Sequence, residues 1–195
     1  MLKRLYNWIL HWASTPYGVP ALFAMSFAES SFFPVPPDVL LMALALGRPK
    51  RSLYYAFICS IASVLGGVLG YFIGAAIWDM VSAYFFSYIP GFTAERFGYV
   101  QALFEKHNFW IVFFAGFTPI PYKVFTIGAG VFHIAFAPFL AASLVGRSLR
   151  FFAVGGLIYC FGAPVRSFID RYLNWLAWGL MLLLVAGFWL IKVVM

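Results

Sequence analysis

The chain has 195 residues, of which 64% are hydrophobic and 22% aromatic, while only 10% carry a charge. Soluble domains average roughly 25% charged residues, which disfavours a soluble enzyme, a nucleic-acid module or a disordered tail and favours one integral membrane domain over 1–195. The formal charge of +7 is the balance of 13 bases and 6 acids spread along the chain, the pattern that orients membrane segments rather than the stripe that binds a phosphate backbone.

Residues 1–15 place Leu2, Leu5, Trp8, Ile9 and Trp12 at helical spacing, with Asn7 and His11 opposite. This amphipathic, Trp-rich pattern predicts an interfacial helix rather than a cleaved signal. The apolar stretch 17–46 is interrupted by Pro34, Pro36 and Pro37, just before Asp38. Prolines remove donors and clash with the preceding turn, and each arm is shorter than the ~20 residues a spanning helix needs. With Arg48, Lys50 and Arg51 following, the stretch predicts a re-entrant hairpin. Residues 53–78 carry no formal charge until the next loop and predict a crossing helix. The more polar 79–107 predicts a loop and an interfacial helix, on which Phe97, Val100, Leu103 and Phe104 share a face.

The broken design then recurs. Residues 109–131 predict a second re-entrant hairpin interrupted at Pro119 and Pro121, and 134–161 and 172–191 predict further crossings. The frames Pro34-Val35-Pro36-Pro37-Asp38 and Pro119-Ile120-Pro121-Tyr122-Lys123 match at an offset of 85, each followed by a glycine-containing helix. One crossing separates the two units, so they face opposite ways. The fold class is thus an all-α membrane protein built as an inverted repeat of re-entrant hairpin plus transmembrane helix. Such repeats carry many secondary transporters, whose sites lie where the broken helices meet. Loop bases place the N-terminus in the cytoplasm: Lys3, Arg4, Arg48, Lys50, Arg51, Arg166 and Arg171 on one side against Arg96 and Lys106 on the other.

Glu29, Asp38, Lys123, Arg147 and Arg150 fall inside apolar stretches. Each costs about 2.5–3.5 kcal/mol at a helix centre, so they must pair, lose a proton or line water. A meeting of Asp38 with Lys123 between the hairpin tips is one expectation; simple capping of a half-helix by Asp38 is another. Glu29, within an apolar arm, is a candidate proton-coupling group, and Arg147 and Arg150, three apart on one helix face, are candidate anion ligands. Gly66, Gly70 and Gly74 form a small-residue stripe for close packing, against a hairpin or across a homodimer. His11, His107 and His133 lack ligand spacing, Cys59 and Cys160 lack a partner pattern, and Ser30 and Ser31 lack a triad, so no metal, cofactor or catalytic residue is expected.

Glu29, the proline cluster ending in Asp38, Gly66 to Gly74, and Phe117-Thr118-Pro119-Ile120-Pro121-Tyr122-Lys123 with Gly128-Ala129-Gly130 resemble the DedA family, also called the SNARE-associated or VTT domain, in its YqaA-type branch. The resemblance implies a multi-pass protein of the bacterial inner membrane, with two opposed re-entrant hairpins, that transports lipids across the bilayer. It matches Glu29 and Asp38 to the family's acidic positions in the first hairpin. The family's second hairpin usually reads Arg-Phe-x-Pro-Gly-x-Arg. Here Gly116 stands at the first arginine and Lys123 lies one residue beyond the second, so Arg147 or Arg150 would supply the missing cation.

The resulting expectation is a flippase or scramblase for a phosphate-bearing lipid, such as a polyprenyl phosphate or phospholipid. Lys123, Arg147 and Arg150 would hold the anionic headgroup, and protonation of Glu29 and Asp38 would couple its movement to the proton gradient. The alternatives are a proton-coupled exporter of small cations or drugs, and a non-transporting membrane scaffold.

Overall fold

The computed structural model describes residues 17–32, 36–88, 93–118, 120–162 and 164. The interfacial helix expected over 1–15, the crossing expected over 172–191, Arg166, Arg171, Pro34 and Pro119 lie outside the described residues. Among the described residues there is helix and no strand. The helices are α1 (Gly18–Ser31), α2 (Asp38–Gly47), α3 (Ser52–Tyr88), α4 (Ala94–Lys106), α5 (Asn108–Phe117), α6 (Tyr122–Val131) and α7 (Phe136–Gly162), with a 3₁₀ turn at Pro49–Arg51. Among the described residues two segments, Pro49–Trp78 and Phe136–Gly162, are long and apolar enough to cross a membrane.

Proline chemistry sets the two breaks. Thr118 precedes Pro119, which disfavours the helical region for Thr118; it is extended, at φ −82° and ψ 166°, and α5 ends there. Pro121 and Pro37 then sit immediately before α6 and α2, where a missing N–H costs nothing. At ~1.5 Å per residue, the arms α1, α2, α5 and α6 are roughly 15–21 Å long, about half to two thirds of the ~30 Å hydrocarbon core.

The arms run in informative directions. Ser26 donates to the Cys59 carbonyl at 2.9 Å and the Ser30 hydroxyl meets that of Ser63 at 2.6 Å, so α1 lies parallel to α3. The chain therefore reverses twice, at the break and at the 3₁₀ turn, before α3 begins. Likewise Asn108 reaches the Ala135 carbonyl at 3.1 Å and Gly116 packs on Arg147, so α5 lies parallel to α7. The starts of α2 and α6 (Asp38, Tyr122), their ends (Gly47, Val131) and the starts of α3 and α7 (Ser52, Phe136) are each 84 residues apart.

The two long helices cross antiparallel. Gly155 lies against Ser52 and Ala56, Arg147 against Ser63, and Phe139 against Tyr71, whose rings are 5.2 Å apart. Ser63 and Arg147 are themselves 84 residues apart, so equivalent positions of the two units touch. A pseudo-twofold axis passes between them, about halfway along the apolar part of both helices.

Gly66, Gly70 and Gly74 make the seam on α3. A Cβ on Gly66 would strike the Phe27 carbonyl of α1, one on Gly74 the Ile127 carbonyl of α6, and one on Gly70 would press on Thr126 and the Ser30 carbonyl. The stripe thus passes from one hairpin to the other within the chain. Gly66→Ala or Gly74→Ala is expected to destabilise the detergent-solubilised protein by at least the ~1–3 kcal/mol typical of overpacking. Gly128→Ala and Gly156→Ala, which meet open space, should leave the melting temperature unchanged or slightly raised.

One boundary differs from the expectation. Helix α3 does not stop near Trp78 but continues to Tyr88. Asp79 is a single acid in an otherwise helix-compatible run, and the first proline-glycine pair comes only at Pro90-Gly91. Beyond it α4 stands where the second interfacial helix is expected. The turn before α7 is tied by side chains from three helices: Gln101 donates to the Phe132 carbonyl, Tyr71 to Ile134 and Asn108 to Ala135, at 2.8, 2.7 and 3.1 Å. In a water-poor medium each of those carbonyls needs such a partner.

Candidate functional site

Helix α7 carries Arg147 and Arg150 on one face, level with both breaks, and each arginine finds an acid from the first hairpin. The Arg147 guanidinium donates to Glu29 at 2.7 Å, to Ser30 at 3.3 Å and to Ser63 through Nε. Ser30 in turn donates to the same Glu29 oxygen at 3.1 Å. Two rings complete the enclosure: Tyr122 and Phe151 lie 4.8 and 4.7 Å from the guanidinium carbon. Arg147 is only 2% exposed and Glu29 15%. Desolvating such a pair is expensive unless every donor is used, and the serines and rings supply what one carboxylate cannot.

Arg150 sits in a different setting. Its Nε and one terminal nitrogen grip both oxygens of Asp38 at 3.3 and 2.7 Å, while the other terminal nitrogen donates to the Thr118 carbonyl at 2.5 Å. Arg150 and Asp38 are each 19% exposed. Asp38 is the first residue of α2 and Thr118 ends α5, so a single guanidinium bridges both breaks. The position suits the helix ends as well, with an acid in the first turn of α2 and a cation just past the C-terminal end of α5.

These contacts settle the partners of the sequence-derived residues. Asp38 does not meet Lys123; Arg150 takes it instead. Nor does it cap α2, since Pro37 holds the cap position without a side-chain bond and the Asp38 carboxylate points to Arg150. Lys123 opens α6 half-buried and makes no ion pair among the described residues. Pro36, Pro37 and Pro121 lie at the breaks as expected. Among the described residues no three His, Cys, Asp or Glu side chains cluster.

Sequence reasoning missed Ser63, Ser30, Tyr122, Phe151 and Thr126, which donates to both the Ser30 and Lys123 carbonyls at 3.2 and 3.0 Å. Two signals for the serines were present. Ser26 and Ser30 repeat at helical spacing beside Glu29, and Ser63 stands one repeat length before Arg147.

Comparison with known proteins gives the family of the chain. The family model for the VTT domain matches residues 35–160, which hold Asp38, both breaks' C-terminal arms, Arg147 and Arg150. An uncharacterised protein of Haemophilus influenzae is 35% identical over 194 residues, covering 96% of each chain. An uncharacterised homologue from Histophilus somni is 32% identical over 194 residues, covering 96% of this chain and 97% of its own. An uncharacterised protein of the archaeon Methanocaldococcus jannaschii is 25% identical over 135 residues, 69% of this chain and 79% of its own. No solved structure matches. With a family match over well more than half its length and a full-length relative above 30% identity, the chain belongs to the VTT-domain (DedA) family of membrane proteins.

Proposed function

We propose that this protein is a carrier, not an enzyme, that moves a phosphate-bearing lipid across the bacterial inner membrane. In this reading both broken segments are re-entrant, the chain is multi-pass with its N-terminus in the cytoplasm, and the anionic headgroup crosses between the hairpin breaks while the tail stays in the bilayer. The observation that carries the reading is the Arg150 fork on Asp38, which bridges both breaks halfway along α7. A guanidinium fork accepts carboxylate and phosphate in the same two-point geometry, so Asp38 occupies the place of a headgroup phosphate. Lys123, at the start of α6, adds a further cation beside the second break. The parallel course of α1 and α3 supports re-entrance, because it returns the chain to its starting level before the crossing. Protonation of Asp38 frees the fork, which couples headgroup binding to the proton gradient.

The test is reconstitution in liposomes of phosphatidylethanolamine and phosphatidylglycerol with a trace of phosphatidic acid bearing a fluorescent acyl chain. The native chain is expected to speed its movement between leaflets, and more so with a proton gradient imposed. An Asp38→Asn variant, which leaves the Arg147–Glu29 pair intact, should lose at least about tenfold in rate under the proton gradient, the scale of a typical coupling between two ligands. Undiminished, pH-dependent lipid movement by the variant would refute the reading. Proton flux stimulated by tetraphenylphosphonium, with no lipid movement, would favour a cation exporter.

A further inference from the structure

The two ion pairs lie one helical turn apart on α7, yet their surroundings oppose each other. Arg147 is sealed: its bonds run to Glu29 and Ser30 on α1 and to Ser63 on α3, and its guanidinium lies between Tyr122 of α6 and Phe151 of α7. To release it, bonds to three side chains must break and two rings must part. Arg150 is about one-fifth exposed, as is its carboxylate partner, and one of its nitrogens is held by the Thr118 carbonyl independently of the two that grip the carboxylate. It can exchange its partner without losing its position.

Symmetry separates them further. Ser63 and Arg147 occupy the same place in the two repeat units and touch, so the pseudo-twofold axis runs through their contact. Carriers built from inverted repeats rock one half against the other around a fixed central site, and a group at the contact between the two halves is displaced least. Arg150 stands off the axis, facing the breaks.

We infer that Ser63 and Arg147 form a fixed pin, both acting as positioning residues, and that Arg150 is the arginine that lets go of its carboxylate during the cycle. The identity of the anion that replaces Asp38 rests on the lipid-phosphate reading; the division of roles between the arginines rests on geometry alone. Ser63 acts through Arg147, holding its Nε so that the guanidinium faces Glu29 and the two rings.

The experiment is modification of the purified full-length protein in detergent by phenylglyoxal, read at each arginine by peptide mass spectrometry. Arg150 is expected to react at least about tenfold faster than Arg147, as local exposure dictates. Asp38→Asn should speed Arg150 further and leave Arg147 untouched. Dihexanoyl phosphatidic acid should protect Arg150. Modification of Arg147 as fast as Arg150, or protection of Arg147 in place of Arg150, would overturn the inference. If the split in reactivity holds and phosphatidic acid protects neither, the lipid-phosphate reading fails while the division of roles stands. In liposomes, Ser63→Ala should lower the maximal rate about tenfold and leave the half-saturating lipid concentration unchanged. A raised half-saturating concentration with an unchanged maximal rate would place Ser63 in ligand binding and refute its positioning role.

Discussion

Arg147→Gln should unfold the protein more readily than any other single change to the described ion pairs. The substitution leaves Glu29, largely enclosed at 15% exposure, without a counter-charge, and breaking one side of a buried pair typically costs about 3–5 kcal/mol. It also removes the cation from between Tyr122 and Phe151 and takes a donor from Ser63. Thermal unfolding in detergent, followed by circular dichroism, reads the loss directly. Two companions sharpen the result. Arg147→Lys should recover little, because an ammonium can neither fork nor stack flat between rings. Glu29→Gln combined with Arg147→Gln should recover a substantial part, since both charges then leave together. A melting temperature for Arg147→Gln equal to that of the native chain would show that the pair adds nothing to cohesion.

Arg150→Gln should behave in the opposite way, keeping the fold and losing transport. Arg150 is far less enclosed than Arg147, at 19% exposed against 2%, so stability should fall by clearly less than in Arg147→Gln. Lipid movement, by contrast, should fall about a hundredfold, the scale of losing charge-assisted hydrogen bonds worth about 2–3 kcal/mol to the headgroup. Arg150→Lys keeps the charge but loses the two-point grip and the simultaneous bond to Thr118, and an intermediate loss of roughly tenfold is expected. The pair of variants is read in one liposome assay beside a melting curve. Full activity in Arg150→Gln would remove the central support for a carrier built on this arginine.

Much of this architecture was legible because its causes are local. A proline is tolerated in the first turn of a helix but breaks one that it falls inside, wherever the chain goes, so both breaks could be placed within a few residues. The glycine stripe was legible as a packing seam, although its partners, the carbonyls of Phe27 and Ile127, were not. The extent of α3 was misread because a lone acid, Asp79, was given the weight of a stop signal that properly belongs to Pro90-Gly91.

The ion pairs show why long-range partners stay hidden. Asp38 and Arg150 are 112 residues apart in the chain, and local pattern carries no information about such a meeting. The error over Lys123 has a specific cause. Matching the proline motifs gives an offset of 85, whereas the helix boundaries repeat at 84. One residue is about 100° around a helix, so the true counterpart of Asp38 is Tyr122, which turns inward under Arg147, and not Lys123. Counting from helix starts rather than from proline frames would also have aligned Ser63 with Arg147.

The length of α3 has a mechanical outcome. Its 37 residues extend to Tyr88, 25 positions beyond Ser63, a rigid arm of roughly 38 Å. A tilt of about 10° around Ser63 would sweep the far tip through about 6–7 Å, while side chains one turn from the fulcrum would shift by about 1 Å. The helix is thus a lever that magnifies a small rearrangement among buried charges into a displacement large enough for a fluorophore at its distal end to report.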